Sequence, residues 1–266
     1  MKTLTSRNNP KIKQARLLRQ RKQRDASGLF VVEGIHHVGE AVQAGAEIAY
    51  LIYAPQHLTS DFARQLIQEQ EQRGLECLAV EQVVFDSLAE KENPQGLLAV
   101  VHQPQARLES LNPANCPWVV AVVSPQDPGN IGAILRSIDA VGASALILLD
   151  NSADPYQSSA VRASMGAIFW YPLVHTSFAD FSTWAQHHQY TLIGTSAHGS
   201  LDYRFISPLT LPLVLLLGSE RQGLSPEQAA RCQQVVRLPM SGRVTSLNLA
   251  VAAGVMLYII QDKIKR

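Results

Sequence analysis

The sequence predicts an α/β protein in two parts, a small N-terminal α/β unit and a C-terminal unit built on a parallel sheet. Three observations carry that expectation. From Trp118 onward, short apolar runs alternate with helical stretches, the pattern of a parallel sheet with helices on both faces. The first run, Trp118–Val123 (WVVAVV), has no polar residue, as a strand covered on both faces requires. Between the two parts, residues 103–117 (QPQARLESLNPANCP) carry three prolines and no periodicity, which reads as a linker. The expected domains are therefore 1–102 and 118–266.

Asn9-Pro10 reads as an N-cap followed by proline at the first helical position, opening a helix to about Arg24 with Ile12, Ala15 and Leu18 as its apolar stripe. Then come a strand at FVVEG from Phe30, a helix at HHVGEAVQAG closed by Gly45, and a strand at IAYLIYA. A helix from about Thr59 to Arg73, a short strand near Cys77–Val80, a helical segment and a strand at GLLAVV complete the first unit. After Trp118–Val123, strands are expected at Ala145–Leu149, Tyr171–His175, Tyr190–Thr195, Pro212–Leu217 and Val235–Leu238. Helices are expected at about Ile131–Val141, Phe178–His188 and Ser246–Asp262, the last capped by Ser246. That final helix holds an unbroken apolar run from Leu249 to Ile260, too short to span a bilayer, which needs ~20 residues.

The net charge of +1 hides a strong asymmetry. Residues 1–24 hold nine basic side chains (Lys2, Arg7, Lys11, Lys13, Arg16, Arg19, Arg21, Lys22 and Arg24) and no acidic one, leaving 14 of the 23 basic residues to face all 22 acidic ones. A basic arm on an acidic body reads as a contact for nucleic acid or another anionic surface. The absence of compensating Glu at i−4 leaves such a helix self-repelling unless it meets phosphate. Cys77, Cys116 and Cys232 form no C-x-x-C pair, which fits a reducing compartment. No apolar run follows the basic N-terminus, so no secretory signal is read and a cytoplasmic location is expected. The pairs His36-His37 and His187-His188 lack a partner at metal spacing, so no metal is expected. Trp118, Trp170 and Trp184 read as core residues.

Three loops follow predicted strands at their carboxyl ends, where ligands bind in open α/β sheets. The first, residues 124–143, holds a turn at Asp127-Pro128-Gly129 and then Asn130, a cap for a helix from Ile131; Gly132 and Arg136 follow. The second, residues 215–227, places Gly218, Glu220 and Gly223 on a sharp turn. The third runs from Pro239 through Gly242 to Ser246-Leu247-Asn248. No G-x-G-x-x-G follows a strand, which disfavours an ordinary dinucleotide site. Ser246 has no G-x-S-x-G setting, which disfavours hydrolase chemistry.

Together these loops resemble the three signature motifs of the SpoU (TrmH-like) RNA 2′-O-ribose methyltransferases of the SPOUT superfamily. The residues that carry the resemblance are Asn130, Gly132 and Arg136; Gly218-Ser219-Glu220 with Gly223; and Leu238-Pro239-Met240, Gly242 and Ser246-Leu247-Asn248. They occur in order over about residues 118–262, with Arg162-Ala163-Ser164 and Gly166 as a further family element between the first two. Arg221 stands where many relatives have Gly, and Leu238 where many have Ile. The N-terminal unit is similar to the family's substrate-binding domain, a small α/β fold, through SRNNPKIK, RQRKQR and LFVVEG.

The resemblance implies a C-terminal domain tied in a deep trefoil knot, S-adenosyl-methionine as cofactor, a homodimer and an RNA substrate. It places Thr195, Gly218, Leu238, Met240 and Leu247 around the cofactor. It makes Arg136 the catalytic centre, with Asn130, Glu220, Ser246 and Asn248 positioning it. RNA contacts fall to Lys11, Lys13, Arg16, Arg19, Arg21, Lys22, Arg24 and Arg162. A guanidinium is permanently protonated, so Arg136 is read as gripping phosphate and the developing alkoxide rather than as a base. The implied substrate is structured RNA, foremost 23S ribosomal RNA. A tRNA substrate and a catalytically silent RNA-binding protein are the alternatives.

Overall fold

The computed structural model describes residues 3–90 and 93–264. The chain forms two compact units, one of residues 1–104 with 154–170, the other of residues 105–153 with 171–266.

In the first unit, α1 (Pro10–Leu17) and α2 (Arg21–Ser27) precede β1 (Leu29–Glu33), α3 (Ile35–Gln43), β2 (Ile48–Tyr53), α4 (Asp61–Gln72), β3 (Cys77–Ala79), α5 (Gln82–Asp86) and β4 (Leu97–His102). The sheet order is β1-β4-β2-β3, with β4 antiparallel to both neighbours and β2 parallel to β3. Ile12, Ala15 and Leu18 pack with Tyr50, Ile52, Phe85 and Leu98 in the core, which assigns the predicted apolar stripe its partner. Each fully buried aliphatic side chain contributes about 1.5–3 kcal/mol relative to exposure.

The basic arm is two helices, not one. Asn9 caps α1 by accepting from the Lys11 N–H at 2.9 Å, as expected, but the helix stops at Leu17. Arg24 causes the break. Its Nη1 donates to the carbonyls of Leu18 at 2.6 Å and Arg19 at 2.8 Å, satisfying carbonyls at the end of α1. Its Nε donates to Asp154 Oδ2 at 2.7 Å, and both side chains are buried. Arg24 therefore leaves the set of phosphate-contact residues: its donors are spent inside the unit. The other predicted contacts divide. Lys13, Arg19, Arg21 and Lys22 are exposed, with Arg21 3.6 Å from Asp25. Lys11 pairs with Glu76 over the Tyr50 ring, and Arg16 donates to Ser87 Oγ at 2.9 Å. Lys2 lies outside the described residues.

The second unit runs β5 (Trp118–Val123), α6 (Pro128–Val141) and β6 (Ala145–Leu149). Helix α7 (Ser158–Ala163) then belongs to the first unit. The second unit resumes with β7 (Leu173–Thr176), α8 (Phe178–His187), β8 (Thr191–Thr195), β9 (Leu201–Asp202), β10 (Leu213–Leu217), α9 (Pro226–Ala230), β11 (Gln234–Arg237) and α10 (Leu249–Lys263). Its seven strands are all parallel, in the order β7-β6-β5-β10-β8-β11-β9. Strands β5, β6 and β10 are buried at every residue, which explains their lack of polar alternation.

Two expectations change here. Residues 105–117 are not a free linker: Leu108, Leu111 and Cys116 are buried in the second core, where Trp184 donates to the Leu111 carbonyl and Tyr190 to that of Cys116. Trp118 and Trp184 are core residues as expected, but Trp170 is 51% exposed, its indole N–H held by Glu40 at 2.9 Å. Among the described residues no helix is long and apolar enough to cross a membrane, and no His/Cys/Asp/Glu group is arranged to hold a metal.

The buried Arg24–Asp154 pair gives a direct test. Arg24→Ala strands a buried carboxylate and is expected to destabilise the fold by about 3–5 kcal/mol in urea unfolding. Lys22→Ala, an exposed neighbour on the same helix, is expected to fall within about ±0.5 kcal/mol. Equal effects would put Arg24 back on the surface.

Candidate functional site

Because every strand of the second sheet runs the same way, the loops after β5, β10, β8 and β11 emerge at one edge. They enclose a cavity of about 600 Å³, within the range of small-molecule sites, ~300–1,000 Å³.

The loop after β5 is set by Asp127, which accepts from the Gly129 N–H at 2.8 Å and starts α6 at Pro128. The cap is therefore Asp127 and not Asn130, because proline fixes the first helical position three residues earlier than the sequence suggests. Asn130 instead lies in the first turn, 8% exposed, with its amide directed across the cavity. After β10 the chain doubles back through a tight turn in which Ser219 and Gly223 exchange backbone hydrogen bonds of 3.0 and 2.9 Å. A Cβ on Gly218 would come within 2.3 Å of the Gly223 carbonyl carbon, so only glycine admits this turn. The turn carries Glu220 to the cavity rim.

The loop after β11 ends at Asn248, whose Oδ1 accepts from the backbone N–H groups of Ala250 at 2.9 Å and Val251 at 3.3 Å. Asn248 thus caps α10, in place of the expected Ser246, and the helix begins at Leu249. With its oxygen committed to the helix, the Asn248 amide nitrogen donates to Asn130 Oδ1 at 3.0 Å. Asn130 must then present its own amide nitrogen to Glu220, donating to Oε1 at 2.5 Å. The polarity of the chain Asn248→Asn130→Glu220 is fixed by the helix cap at one end and an acceptor-only carboxylate at the other. One residue from each of the three sequence motifs is thereby wired to the next.

Every residue expected around the cofactor (Thr195, Gly218, Leu238, Met240 and Leu247) lines the cavity, as do Asn130, Glu220, Ser246 and Asn248. Leu217, Val236, Leu249 and Met256 supply apolar wall. A group with a flat apolar ring system and polar edges fits this lining, since glycine turns offer backbone at close approach. Arg136 does not line the cavity. Six residues beyond Asn130 it is turned about 240° around the helix and ~9 Å along it, where it is exposed and has no partner among the described residues. The sequence also missed Ser196 and His198, on the loop after β8, and Arg221 at the tip of the Gly218 turn. Their signal was positional: TSAHGS is a polar, Gly- and Ser-containing break after an apolar strand.

The profile of the SpoU rRNA Methylase family matches residues 117–258, and that of the MRM3-like substrate binding domain matches residues 9–99. The chain is 35% identical to a Streptomyces viridochromogenes 23S rRNA (uridine(2479)-2′-O)-methyltransferase, covering 96% of this chain and 90% of that protein. It is 28% identical to the Bacillus subtilis 23S rRNA (guanosine(2553)-2′-O)-methyltransferase RlmP, over 97% and 98% of the two chains. Among solved structures, the AdoMet-bound rRNA methyltransferase from Sinorhizobium meliloti superposes with a TM-score of 0.89 at 36% identity, covering 98% of this chain and 97% of that one. The AviRb methyltransferase of S. viridochromogenes in complex with AdoMet gives 0.86 at 32%, over 96% and 98%. With its three motif loops joined at one cavity and both family profiles matched, the chain belongs to the SpoU rRNA methylase family.

Proposed function

We propose that this protein transfers a methyl group from S-adenosyl-methionine to a ribose 2′-hydroxyl of 23S ribosomal RNA. The single observation that carries the reading is the Asn248–Asn130–Glu220 chain across a cavity sized for the cofactor. Relatives that span nearly the whole chain are named as 23S rRNA enzymes. A structure concerned with tRNA covers 56% of it, which makes tRNA the weaker substrate. The reading as a silent RNA-binding protein is disfavoured because the motif side chains are intact and connected.

Bound S-adenosyl-methionine supplies an electrophilic methyl carbon on a sulfonium. The residues of this chain have three tasks: to seat the cofactor, to bring the 2′-oxygen into line with that carbon, and to stabilise charge as the hydroxyl proton leaves. Thr195, Gly218, Leu238, Met240 and Leu247 serve the first, through backbone at close approach and apolar wall. Asn130, Ser246 and Asn248 serve the second, since the wired amides hold the mouth of the cavity in one geometry. Arg136 serves the third as a fixed positive charge beside phosphate and alkoxide. Glu220 is an acceptor at the rim, chemically suited to receive the proton, which Arg136 is not.

A homodimer paired through α10 is proposed, because Arg136 does not line the cavity of its own chain and α10 keeps an apolar face exposed. Helix α10 exposes Val251, Val255 and Tyr258, spaced i, i+4, i+7 and 51, 41 and 55% exposed. Val244 and Leu247 continue the patch, larger than scattered surface apolar residues explain. The trefoil knot is proposed for residues 118–262 from the family motifs, and the cytoplasm as the compartment of the ribosomal substrate. The exposed Lys13, Arg19, Arg21 and Lys22 are proposed to contact phosphate.

Incubation with S-adenosyl-methionine and unmodified 23S rRNA, followed by mapping of 2′-O-methyl positions, is expected to give one modified site. Arg136→Ala is expected to lower turnover by ~10²–10³-fold with S-adenosyl-methionine affinity within about twofold; near-normal turnover would remove Arg136 from the chemistry. Val255→Arg places a charge in the proposed interface. Sedimentation is expected to give a dimer for the natural chain and a folded monomer for the variant. A natural chain that is monomeric at micromolar concentration would contradict the dimer.

A further inference from the structure

Arg136 has an acidic neighbour on its own helix. Asp139 follows it by three residues in α6, and both side chains are exposed. Three residues are ~4.5 Å along a helix and about 60° short of a full turn, so side chains at that spacing are neighbours able to pair. The chain shows such a pair elsewhere: on α4, Asp61 and Arg64 stand at the same spacing and meet at 2.6 Å. On α6 the pair is open. Arg136 has no partner among the described residues, Asp139 included.

Tyr171 takes the carboxylate instead. Its hydroxyl donates to Asp139 Oδ1 at 2.8 Å. Tyr171 lies two residues before β7, and β7 pairs with β6, the strand that follows α6. The sheet thus brings a half-buried ring to the last turn of that helix. Burial, with the hydrogen bond and charge of Asp139, pushes the hydroxyl up to about 12, so it stays a donor through the neutral range. Asp139 does not serve the helix itself, since an acid in the last turn opposes the macrodipole. Tyr171 satisfies it from outside and leaves the Arg136 charge uncompensated.

We propose that Tyr171 is a positioning residue for methyl transfer: by holding Asp139 it keeps that carboxylate off Arg136, whose N–H groups stay free for RNA phosphate and the developing alkoxide. The proposal rests on the role given to Arg136 above. Carboxylate and phosphate oxygens accept from the same guanidinium N–H groups. A released Asp139, carried on the same helix, would therefore compete with the RNA at every encounter. An exposed pair of this kind shifts an equilibrium by at most about fivefold, which sets the size of the effect.

The test is Tyr171→Phe, which keeps the ring and removes only the hydroxyl, assayed on unmodified 23S rRNA. It is expected to lower kcat/KM for RNA by about two- to fivefold while S-adenosyl-homocysteine affinity is unchanged. Asp139→Asn alone is expected to leave kcat/KM no lower than in the natural chain. Added to Tyr171→Phe, it is expected to restore the natural value, because the competing charge is gone. A loss that Asp139→Asn does not restore would mean that Tyr171 serves the fold alone. Absence of a loss would mean that Asp139 never competes, and a loss in Asp139→Asn alone would give the carboxylate a different role; each of these overturns the proposal. A crystal structure of Tyr171→Phe is expected to show Asp139 within hydrogen-bond distance of the Arg136 guanidinium, and an open pair there would overturn it as well. Failure of the natural chain to methylate rRNA counts against the methyltransferase reading instead, and the crystal structure still decides whether Tyr171 holds the pair open.

Discussion

The second unit depends on the double commitment of Asn130. Its side chain accepts from Asn248, 118 residues away in sequence, and donates to Glu220, 90 residues away, so three loops share one set of hydrogen bonds. A loop rich in Gly and Ser has no regular backbone hydrogen bonds to hold it. Here that role passes to a side chain 8% exposed, in surroundings where a satisfied polar network is rigid and a broken one costly. The direction of the network originates in the backbone of α10: two N–H groups at its start claim the Asn248 oxygen and leave the nitrogen as the only group able to turn to Asn130.

The first unit is organised by a different constraint, the burial of a guanidinium. Arg24 terminates α1 and anchors Asp154, and it is buried while the basic side chains around it stay at least partly open to solvent. A segment from beyond residue 150 completes this unit: Tyr156 packs on Phe30, and Ser158 and Arg162 bind Glu90. The N-terminal unit is thus not made from the N-terminal sequence alone.

The central strands of the second sheet were the most legible because the environment of each is uniform. Trp118–Val123 and Ala145–Leu149 are apolar at every position and buried at every position, and no competing pattern intrudes. The motif residues were legible as a set, since Gly218, Glu220 and Asn248 each carry a weak local signal and only their order makes a strong one. What stayed hidden depended on contacts between distant residues. Nothing between Leu17 and Arg21 breaks a helix locally; the break is made by Arg24 turning back. Asn130 read as a cap because the sequence does not say that Asp127 has already taken that role. Asn248 and Ser246 are both capping residues, and only the geometry of α10 selects the former. Residues 105–117 looked like a linker because burial of Leu108, Leu111 and Cys116 has no periodicity to reveal it. Arg136 was legible as a motif residue, but its placement away from the cavity of its own chain follows from its six-residue offset from Asn130, about 240° around the helix, which the motif does not display.

Whether Asn130 joins the motif loops into one functional unit is decided by a double-mutant cycle on methyl transfer. Asn130→Ala removes the bridge; Asn248→Asp keeps the α10 cap but replaces the donor facing Asn130 by an oxygen. If the loops act as one unit, the loss in kcat/KM for the double variant falls well short of the sum of the single losses, with a coupling energy of about 1 kcal/mol or more. Additive losses, within about 0.5 kcal/mol, would mean that the two residues act independently and would contradict the account.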